Sequence, residues 1–148
     1  MKSLTTFAML LWGAVAVAAE EAPGPVFAQM DSRDLAQFKW TQRPIVVFAD
    51  SPFDPAFTEQ MEALRAREGA LEDRDVVVLV DTDPEAVSEL RRTLRPRGFM
   101  LVLIGKDGRV ALRKPRPWDV REITRSIDKM PMRQQELRRE REAAAAGQ

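Results

Sequence analysis

Five polar side chains stand directly after two apolar runs of the sequence, where they could act together in chemistry. They are Asp50, Ser51, Asp54, Asp81 and Asp83. If the two runs are neighbouring parallel strands, their carboxyl ends meet at one edge of a sheet, where α/β proteins commonly bind ligands. Four carboxylates at that edge could hold a hard divalent cation or provide an acid–base pair. Such a site would suit a carboxylate- or metal-assisted hydrolase.

Helix capping is a competing explanation for two of these acids. Asp54 and Asp83 each precede a proline. An Asp followed by Pro is typical of a helix N-terminus, where the Asp caps and the Pro fills the first helical position. The acids also lack the spacing of a calcium-binding loop between two helices. We therefore favour capping, and we predict neither a bound metal nor a cofactor.

The amino-acid composition excludes several kinds of site. The 148 residues include no Cys, no His and no Tyr. Without Cys the chain cannot form a disulfide, a thiol nucleophile or a thiolate metal site. Without His it lacks the commonest zinc ligand and the usual acid–base group at neutral pH.

The charged residues are unevenly distributed although the net charge is zero. Residues 20–90 contain 6 Lys/Arg and 16 Asp/Glu, whereas residues 91–148 contain 16 and 7. A basic half could bind an unknown protein or an anionic component of the cell envelope. The alternative, which we favour, is that the two halves neutralise each other across one small fold. We predict no nucleic-acid partner.

Residues 1–19 have the features of a cleaved secretory signal peptide. A positive charge at Lys2 precedes the apolar run Phe7–Val17, and residues 16–18 form an A-x-A cleavage motif. The run is shorter than the roughly 20 residues that span a bilayer, so we rank a retained membrane anchor below cleavage. We predict a periplasmic or secreted mature chain that begins near Ala19 or Glu20 and has no membrane span.

Four strands are indicated by the pattern of apolar residues. They are Ile45–Ala49, Val76–Val80, Phe99–Ile104 and Arg109–Lys114. The first three runs are continuously apolar, as in strands that are covered on both faces, and the fourth alternates like a half-exposed edge strand. The turn Gly105–Gly108 contains an Asp-Gly pair, which predicts that the last two strands form a hairpin.

Helices are predicted before, between and after these strands. The first covers Ser32–Trp40, the second starts at Asp54, the third starts within Thr82–Glu85, and the fourth covers Pro117–Asp128. Apolar residues at helical spacing mark the face that each would bury. The expected buried positions are Leu35, Phe38 and Trp40; Phe57, Met61 and Leu64; Val87, Leu90 and Leu94; and Val120, Ile123 and Ile127.

The order of elements from the first strand onward is β-α-β-α-β-β-α, which predicts a mixed central sheet flanked by helices. The first two strands should be parallel and the hairpin antiparallel, with right-handed crossovers where helices intervene. This is the order of a thioredoxin-like α/β fold. We assign residues 20–30 to a lead-in, 31–130 to the domain and 131–148 to a charged C-terminal helix or tail.

A thioredoxin-like fold places its reactive Cys in the turn after the first core strand, where the next helix N-terminus lowers the thiol pKa. The equivalent turn here is Asp50–Pro55, which contains no Cys. The fold also places a cis-Pro before the third core strand. The equivalent position is Gly98-Phe99, with the nearest proline at Pro96. Thiol–disulfide exchange and cysteine peroxidase chemistry are therefore excluded.

A second group of residues could bind a partner. Met130, Met132 and Arg133 belong to the run Met-Pro-Met-Arg, and Met adapts well to interfaces. The alternative, which we favour, is a joint between two helices with both Met side chains in the core. Trp118 could equally be an exposed binding residue or a side chain that packs under the last helix.

Three segments resemble an uncharacterised peroxiredoxin-like family, domain of unknown function 4174. The segments are Arg43–Ala49, Gly98–Gly108 with its Leu-Ile-Gly-Lys-Asp-Gly run, and Asp128–Arg133 with its Met-Pro-Met-Arg run. The resemblance covers about residues 30–138 and implies a thioredoxin-like fold in an exported protein. The family has no established activity. We therefore expect an exported, non-redox binding module of the cell envelope, with the hydrolase as the alternative.

Overall fold

A computed structural model describes residues 26–28 and 35–148. The predicted signal peptide and the start of the first predicted helix lie outside the described residues. Within the described part, no helix is both long enough and apolar enough to cross a membrane.

The sheet has four strands in the spatial order β2-β1-β3-β4. The strands are β1 (Arg43–Phe48), β2 (Val76–Asp81), β3 (Met100–Ile104) and β4 (Val110–Lys114). β1 and β2 are parallel, β3 is antiparallel to β1, and β4 forms a hairpin with β3. The predicted mixed sheet is therefore confirmed. Only the first helical connection joins neighbouring parallel strands, because β3 runs in the opposite direction.

Part of the lead-in belongs to the sheet. Phe27 forms a parallel bridge with Val78 of β2. The amide of Val78 donates to the carbonyl of Val26 at 2.6 Å, and the amide of Ala28 donates to the carbonyl of Val78 at 3.3 Å. The outer edge of β2 is thus paired at its centre, which leaves fewer free backbone groups on that edge.

Five α-helices and one 3₁₀ turn, Leu35–Phe38, surround the sheet in the described residues. The helices are α1 (Pro55–Arg65), α2 (Glu68–Glu72), α3 (Glu89–Leu94), α4 (Val120–Asp128) and α5 (Pro131–Ala146). α1 begins where its Asp-Pro signal predicts. The short α2 was not predicted, because only Leu71 is buried in it. The start predicted for the fourth helix was three residues early, since Asp119 caps α4.

The predicted start of the third helix was wrong. α3 begins at Glu89, with Ser88 as its cap. Instead of starting a helix, Asp83 accepts hydrogen bonds from the amides of Glu85 (3.1 Å) and Ala86 (3.3 Å) in a turn. Val87, predicted to be buried, has a φ of 42° and is 50% exposed.

Trp40 is a second correction. It was expected to face inward, but it is 61% exposed and has a φ of 70°. The 3₁₀ turn ends at Phe38, and the chain then turns so that the Trp40 amide donates to the Lys106 carbonyl at 2.7 Å. Leu35 and Phe38 do pack against the core.

The core lies on both faces of the sheet, and β1 is buried along its whole length. Ile45 and Val47 point to one face, where they pack with residues of α1 and α4. Val46 and Phe48 point to the other face, which α3 covers. This double covering explains why the strand is continuously apolar after Pro44 rather than alternating.

Gln60 of α1 is a fully buried polar side chain that the apolar pattern did not mark. Its amide nitrogen donates to the Trp118 carbonyl at 3.1 Å, and its amide oxygen accepts from the Trp118 amide at 2.7 Å. The Gln60 side chain thus pairs with the Trp118 backbone as a neighbouring strand would. It fixes the loop before α4 against α1.

We expect Gln60→Ala to lower the free energy of unfolding by about 2–3 kcal/mol, because it leaves the buried backbone groups of Trp118 unpaired. Urea denaturation of the variant and of the exposed neighbour variant Glu59→Ala measures this. Glu59→Ala should stay within roughly 0.5 kcal/mol of the wild type. Equal midpoints for the two variants would contradict the role given to Gln60.

Candidate functional site

Asp81, at the carboxyl end of β2, is held in an ion pair. Its Oδ1 lies 2.9 Å from Nε of Arg91, and both side chains are about nine-tenths buried. Ser88 also donates its hydroxyl to Asp81. The Arg91 guanidinium further donates to the carbonyls of Ala49 (2.8 Å) and Asp81 (3.1 Å). Arg91 therefore links the ends of β1 and β2 and neutralises Asp81, a role that the sequence pattern did not reveal.

Three more of the predicted polar residues make local hydrogen bonds. Asp54 accepts from the Ala56 amide at 2.8 Å and caps α1, as its Asp-Pro signal predicts. Ser51 accepts from the Phe53 amide at 3.1 Å. Asp83 closes the turn described above. Each side chain thus shapes its own stretch of backbone.

Asp50 is exposed and faces the loop that precedes β3. A Cβ built on Gly98 would lie 4.0 Å from its Oδ2, and Gly98 has a φ of +57°. No cis peptide bond occurs among the described residues. The described part of the chain also contains no group of three acidic residues that could hold a metal ion. This geometry gives no support to the metal-assisted hydrolase.

We expect the acids of this edge to act independently of each other. Asp54→Ala should cost about 0.5–2 kcal/mol of stability through the lost cap. Asp50→Ala should change stability little, because Asp50 is exposed. Thermal melting with millimolar Ca²⁺ or Mg²⁺ should show only general salt effects in the wild type. A saturable rise in melting temperature that Asp50→Ala abolishes would restore the metal site.

A network of buried charges lies at the opposite end of the sheet, where β1 begins. Arg43 is fully buried. Its guanidinium donates to the Arg74 carbonyl at 2.8 Å and to the Glu136 carboxylate at 3.0 Å. Lys106, in the β3–β4 turn, lies 2.8 Å from the same Glu136 oxygen and 2.7 Å from Asp75. Glu136 therefore joins α5 to the first strand and to the hairpin.

Arg133 belongs to the same network and is 6% exposed. Its guanidinium lies 3.3 Å from both Glu136 and Glu140, and its Nε lies 3.8 Å from Asp128. Arg133 was predicted as a candidate partner-binding residue, but its charge is directed to residues of its own chain. The tail that begins at residue 131 is accordingly tied to the domain by its first two helical turns.

The charged neighbours of Glu136 shift its pKa. Burial raises the pKa, but hydrogen bonds from Lys106 and Arg43, together with their positive charges, lower it more. The net result is a pKa below the ordinary value of 4.5. Glu136 is therefore ionised at neutral pH, as the two cations beside it require.

A cavity of about 210 Å³ adjoins this network. Its lining includes Arg43, Lys106, Val110, Ala111, Met130 and Met132. Two of the predicted partner-binding residues, Met130 and Met132, line it, and Met130, which lies between α4 and α5, also packs against the core. The sequence pattern did not indicate that Arg43 and Lys106 are buried, because a basic residue beside a strand or in a turn usually faces solvent.

Trp118, the remaining predicted partner residue, is half-buried against the core. The ammonium of Lys114 lies 4.5 Å from its ring centroid. Such a contact is a favourable cation–π interaction. It occupies one face of the indole, and Gln60 holds the backbone, so Trp118 packs under the start of α4.

Comparisons with solved structures identify the fold. The reduced 2-Cys peroxiredoxin of Plasmodium vivax matches with a TM-score of 0.56 and 17% identity, over 68% of this chain and 84% of that chain. A mitochondrial 2-Cys peroxiredoxin of Plasmodium falciparum (TM-score 0.44, 20% identity) covers 64% of this chain and 79% of its own. StoA of Bacillus subtilis (TM-score 0.39, 10% identity) covers 58% and 82%. The fold assignment rests on the first of these.

A model of a protein family also matches the sequence. The model describes a domain of unknown function, DUF4174, and it matches residues 34–136. The matched range contains all four strands and extends to Glu136 in α5. The expected resemblance and the expected fold are thereby confirmed, and the chain belongs to the DUF4174 family of thioredoxin-like domains.

Proposed function

We propose that the protein is an exported, non-redox binding module that uses the thioredoxin-like fold as a scaffold. The observation that carries this proposal is which residues occupy the turn after β1. In place of a Cys it has acids that cap a helix or face solvent. No residue of the chain can supply the thiolate of thiol chemistry, because the sequence has no Cys.

The cavity beside the charge network is the ligand site in this proposal. It combines apolar walls with buried polar side chains, which is the usual composition of a binding pocket. It lies at the other end of the sheet from the turn that carries chemistry in thiol-dependent relatives of the fold. A partner from the cell envelope, either a protein or an anionic component, would enter past the β3–β4 turn and the start of α5.

Site-specific crosslinking in the cell envelope tests this proposal. Ala111 lines the cavity, so a photoreactive amino acid is placed at position 111. The same amino acid at position 93, where Thr93 of α3 is exposed, serves as the matched control. We expect a product at position 111 that is absent at position 93. Identical products from both positions, or none from position 111, would contradict a binding site here.

Export is a separate expectation with its own measurement. Because residues 1–19 carry the features of a signal peptide, the mature protein should be recovered from the periplasm or the medium. Intact-mass determination should give a chain that starts near Ala19 or Glu20. Recovery of the full-length chain from the cytoplasm would rule export out.

A further inference from the structure

We propose that the outer edge of β4 binds an extended acidic segment of a partner protein, which adds to the sheet as a fifth strand. This inference rests on the proposed binding function and names the kind of partner. Three observations support it: the edge is open, most of its cations have no acidic partner, and these cations lie on both faces of the sheet. The cavity lies beside the start of the same strand, because Val110 and Ala111 line it.

The open edge of the sheet is that of β4. This strand is the last in the sheet and pairs with β3. In an antiparallel pair, every second residue of an edge strand directs its N–H and C=O away from the neighbouring strand. Within residues 26–28 and 35–148, the backbone of β4 makes no backbone hydrogen bond with a segment other than β3. An extended peptide can therefore add to this edge.

A bulge limits the regular part of the edge. Val110 and Leu112 pair with consecutive residues of β3, which leaves Ala111 without a counterpart. Regular pairing is thus available along Leu112–Lys114. So short a stretch offers few backbone hydrogen bonds, and the side chains must supply much of the affinity and the choice of partner.

The charged side chains along the edge are mostly cations. Residues 107–116 contain four basic residues and one acid, Asp107. Asp107 lies 3.9 Å from Arg109, whose side chain is 88% exposed, so it offsets part of that charge. The other three cations form no ion pair with an acid in the described part of the chain. They are Arg113, Lys114 and Arg116.

The expected neutralisation of the two halves of the sequence does not reach this edge. In the described ranges, three cations of residues 91–148 pair with acids of residues 20–90. They are Arg91, Arg92 and Lys106. None of the three belongs to β4. Positive charge of the basic half is therefore left along the open edge, where an acidic partner would complement it.

The cations of β4 lie on both faces of the sheet. Arg113 donates to the carbonyl of Leu94 in α3, on one face. Lys114 lies over the ring of Trp118, which packs with the core on the other face. Consecutive side chains of a strand point to opposite faces. A strand paired with β4 would therefore place two adjacent acids beside Arg113 and Lys114, one on each face.

This arrangement favours a strand over two other occupants. A flat anionic membrane meets one face of an edge, so it would leave Arg113 or Lys114 without a counter-charge. A second copy of this chain, paired edge to edge, would bring cations close to cations, which is unfavourable. An extended acidic segment avoids both problems.

Titration of the isotope-labelled protein, followed by amide chemical shifts, tests the proposal. The probe is the acetylated and amidated peptide Thr-Val-Glu-Glu-Val-Thr. Its neutral control is Thr-Val-Gln-Gln-Val-Thr, and its strand-breaking control is Thr-Pro-Glu-Glu-Pro-Thr, which keeps the charge but lacks an amide on each edge. We expect the acidic peptide to shift the amides of Leu112–Lys114 saturably and to bind at least about tenfold more tightly than either control. Added salt should weaken binding, because it screens exposed charges.

Variants connect binding to the edge. Arg113→Gln combined with Lys114→Gln removes two charges from β4, and Arg138→Gln combined with Arg139→Gln removes two exposed charges from α5. We expect the first pair to weaken binding of the acidic peptide at least about tenfold and the second pair to leave it unchanged. Arg116→Glu leaves both strand side chains in place and should also weaken binding, by at least about threefold.

Several results would overturn the acidic strand. One is equal binding of the acidic peptide and either control, and another is equal binding by the two paired variants. Binding of phosphatidylglycerol vesicles without binding of the peptide would assign the cations to an anionic surface instead. If the wild type bound no peptide and the β4 variant aggregated, the cations would serve only to keep the edge from pairing with itself.

Crosslinking at position 111 separates this inference from the proposed binding function. A crosslinked partner without peptide binding would leave the binding module standing and reject only the acidic strand. Peptide binding without a crosslinked partner would support the edge and reject the cavity as the ligand site. Absence of both would reject the two proposals together.

Discussion

Val47→Asp and Val78→Asp are expected to prevent folding. Val47 lies between Val80 of β2 and Leu101 of β3, and Val78 of β2 lies opposite Ile45 of β1, so both are in strands that belong to the core. Their side chains are at most 1% exposed. A carboxylate there has no partner, and its burial costs far more than about 3 kcal/mol. The loss is comparable with the whole stability of a small domain, roughly 5–15 kcal/mol.

Circular dichroism during thermal melting measures this effect, and the chain offers a matched control. Val110 begins the edge strand β4 and is 42% exposed. Val110→Asp introduces the same chemical change on the surface, so it should cost less than about 1 kcal/mol. If Val47→Asp still melted cooperatively near the wild-type temperature, β1 could not be the central strand of the core.

The second large effect concerns Glu136. We expect Glu136→Gln to lower the free energy of unfolding by about 3 kcal/mol at pH 7, because it removes the charge that Arg43 and Lys106 share. Arg43 cannot turn to solvent, since it is fully buried. Glu140→Gln is the control: its side chain is 62% exposed, and its loss should cost at most about 1 kcal/mol.

The pH dependence of this difference follows from the pKa of Glu136, which folding lowers below 4.5. The stabilising contribution of a carboxylate with a lowered pKa is fully present above the unfolded-state value. It is lost as the pH falls from there through the folded-state pKa. The wild type should therefore lose its advantage over Glu136→Gln progressively as the pH falls from about 4.5 through the lower folded-state pKa, because Glu136 then becomes neutral as Gln always is. Chemical denaturation at pH 7 and pH 3 measures this, and a constant difference would contradict it.

Local patterns in the sequence were sufficient for most of the fold. Continuous apolar runs indicate β1, β2 and β3, because strands that are covered on both faces have no polar side. The Asp-Pro pair at Asp54 marks the start of α1, and the Asp-Gly pair marks the β3–β4 hairpin. The same Asp-Pro logic failed at Asp83, where the side chain stabilises a turn and Ser88 takes over the cap. Which residue caps α3 depends on a contact with another element, because the Ser88 hydroxyl donates to Asp81 of β2.

The candidate site depended on contacts between distant segments. Arg43 and Glu136 are 93 positions apart, and nothing in either local pattern indicates that they meet. The same holds for Gln60 and Trp118, which are 58 positions apart. The sequence by itself determined the apolar strands, the lack of a thiolate and the acids after β1 and β2. Only the tertiary structure decided that these acids serve separately and that buried cations gather at the other end of the sheet, because the desolvation and pairing of a charge depend on which segments fold around it.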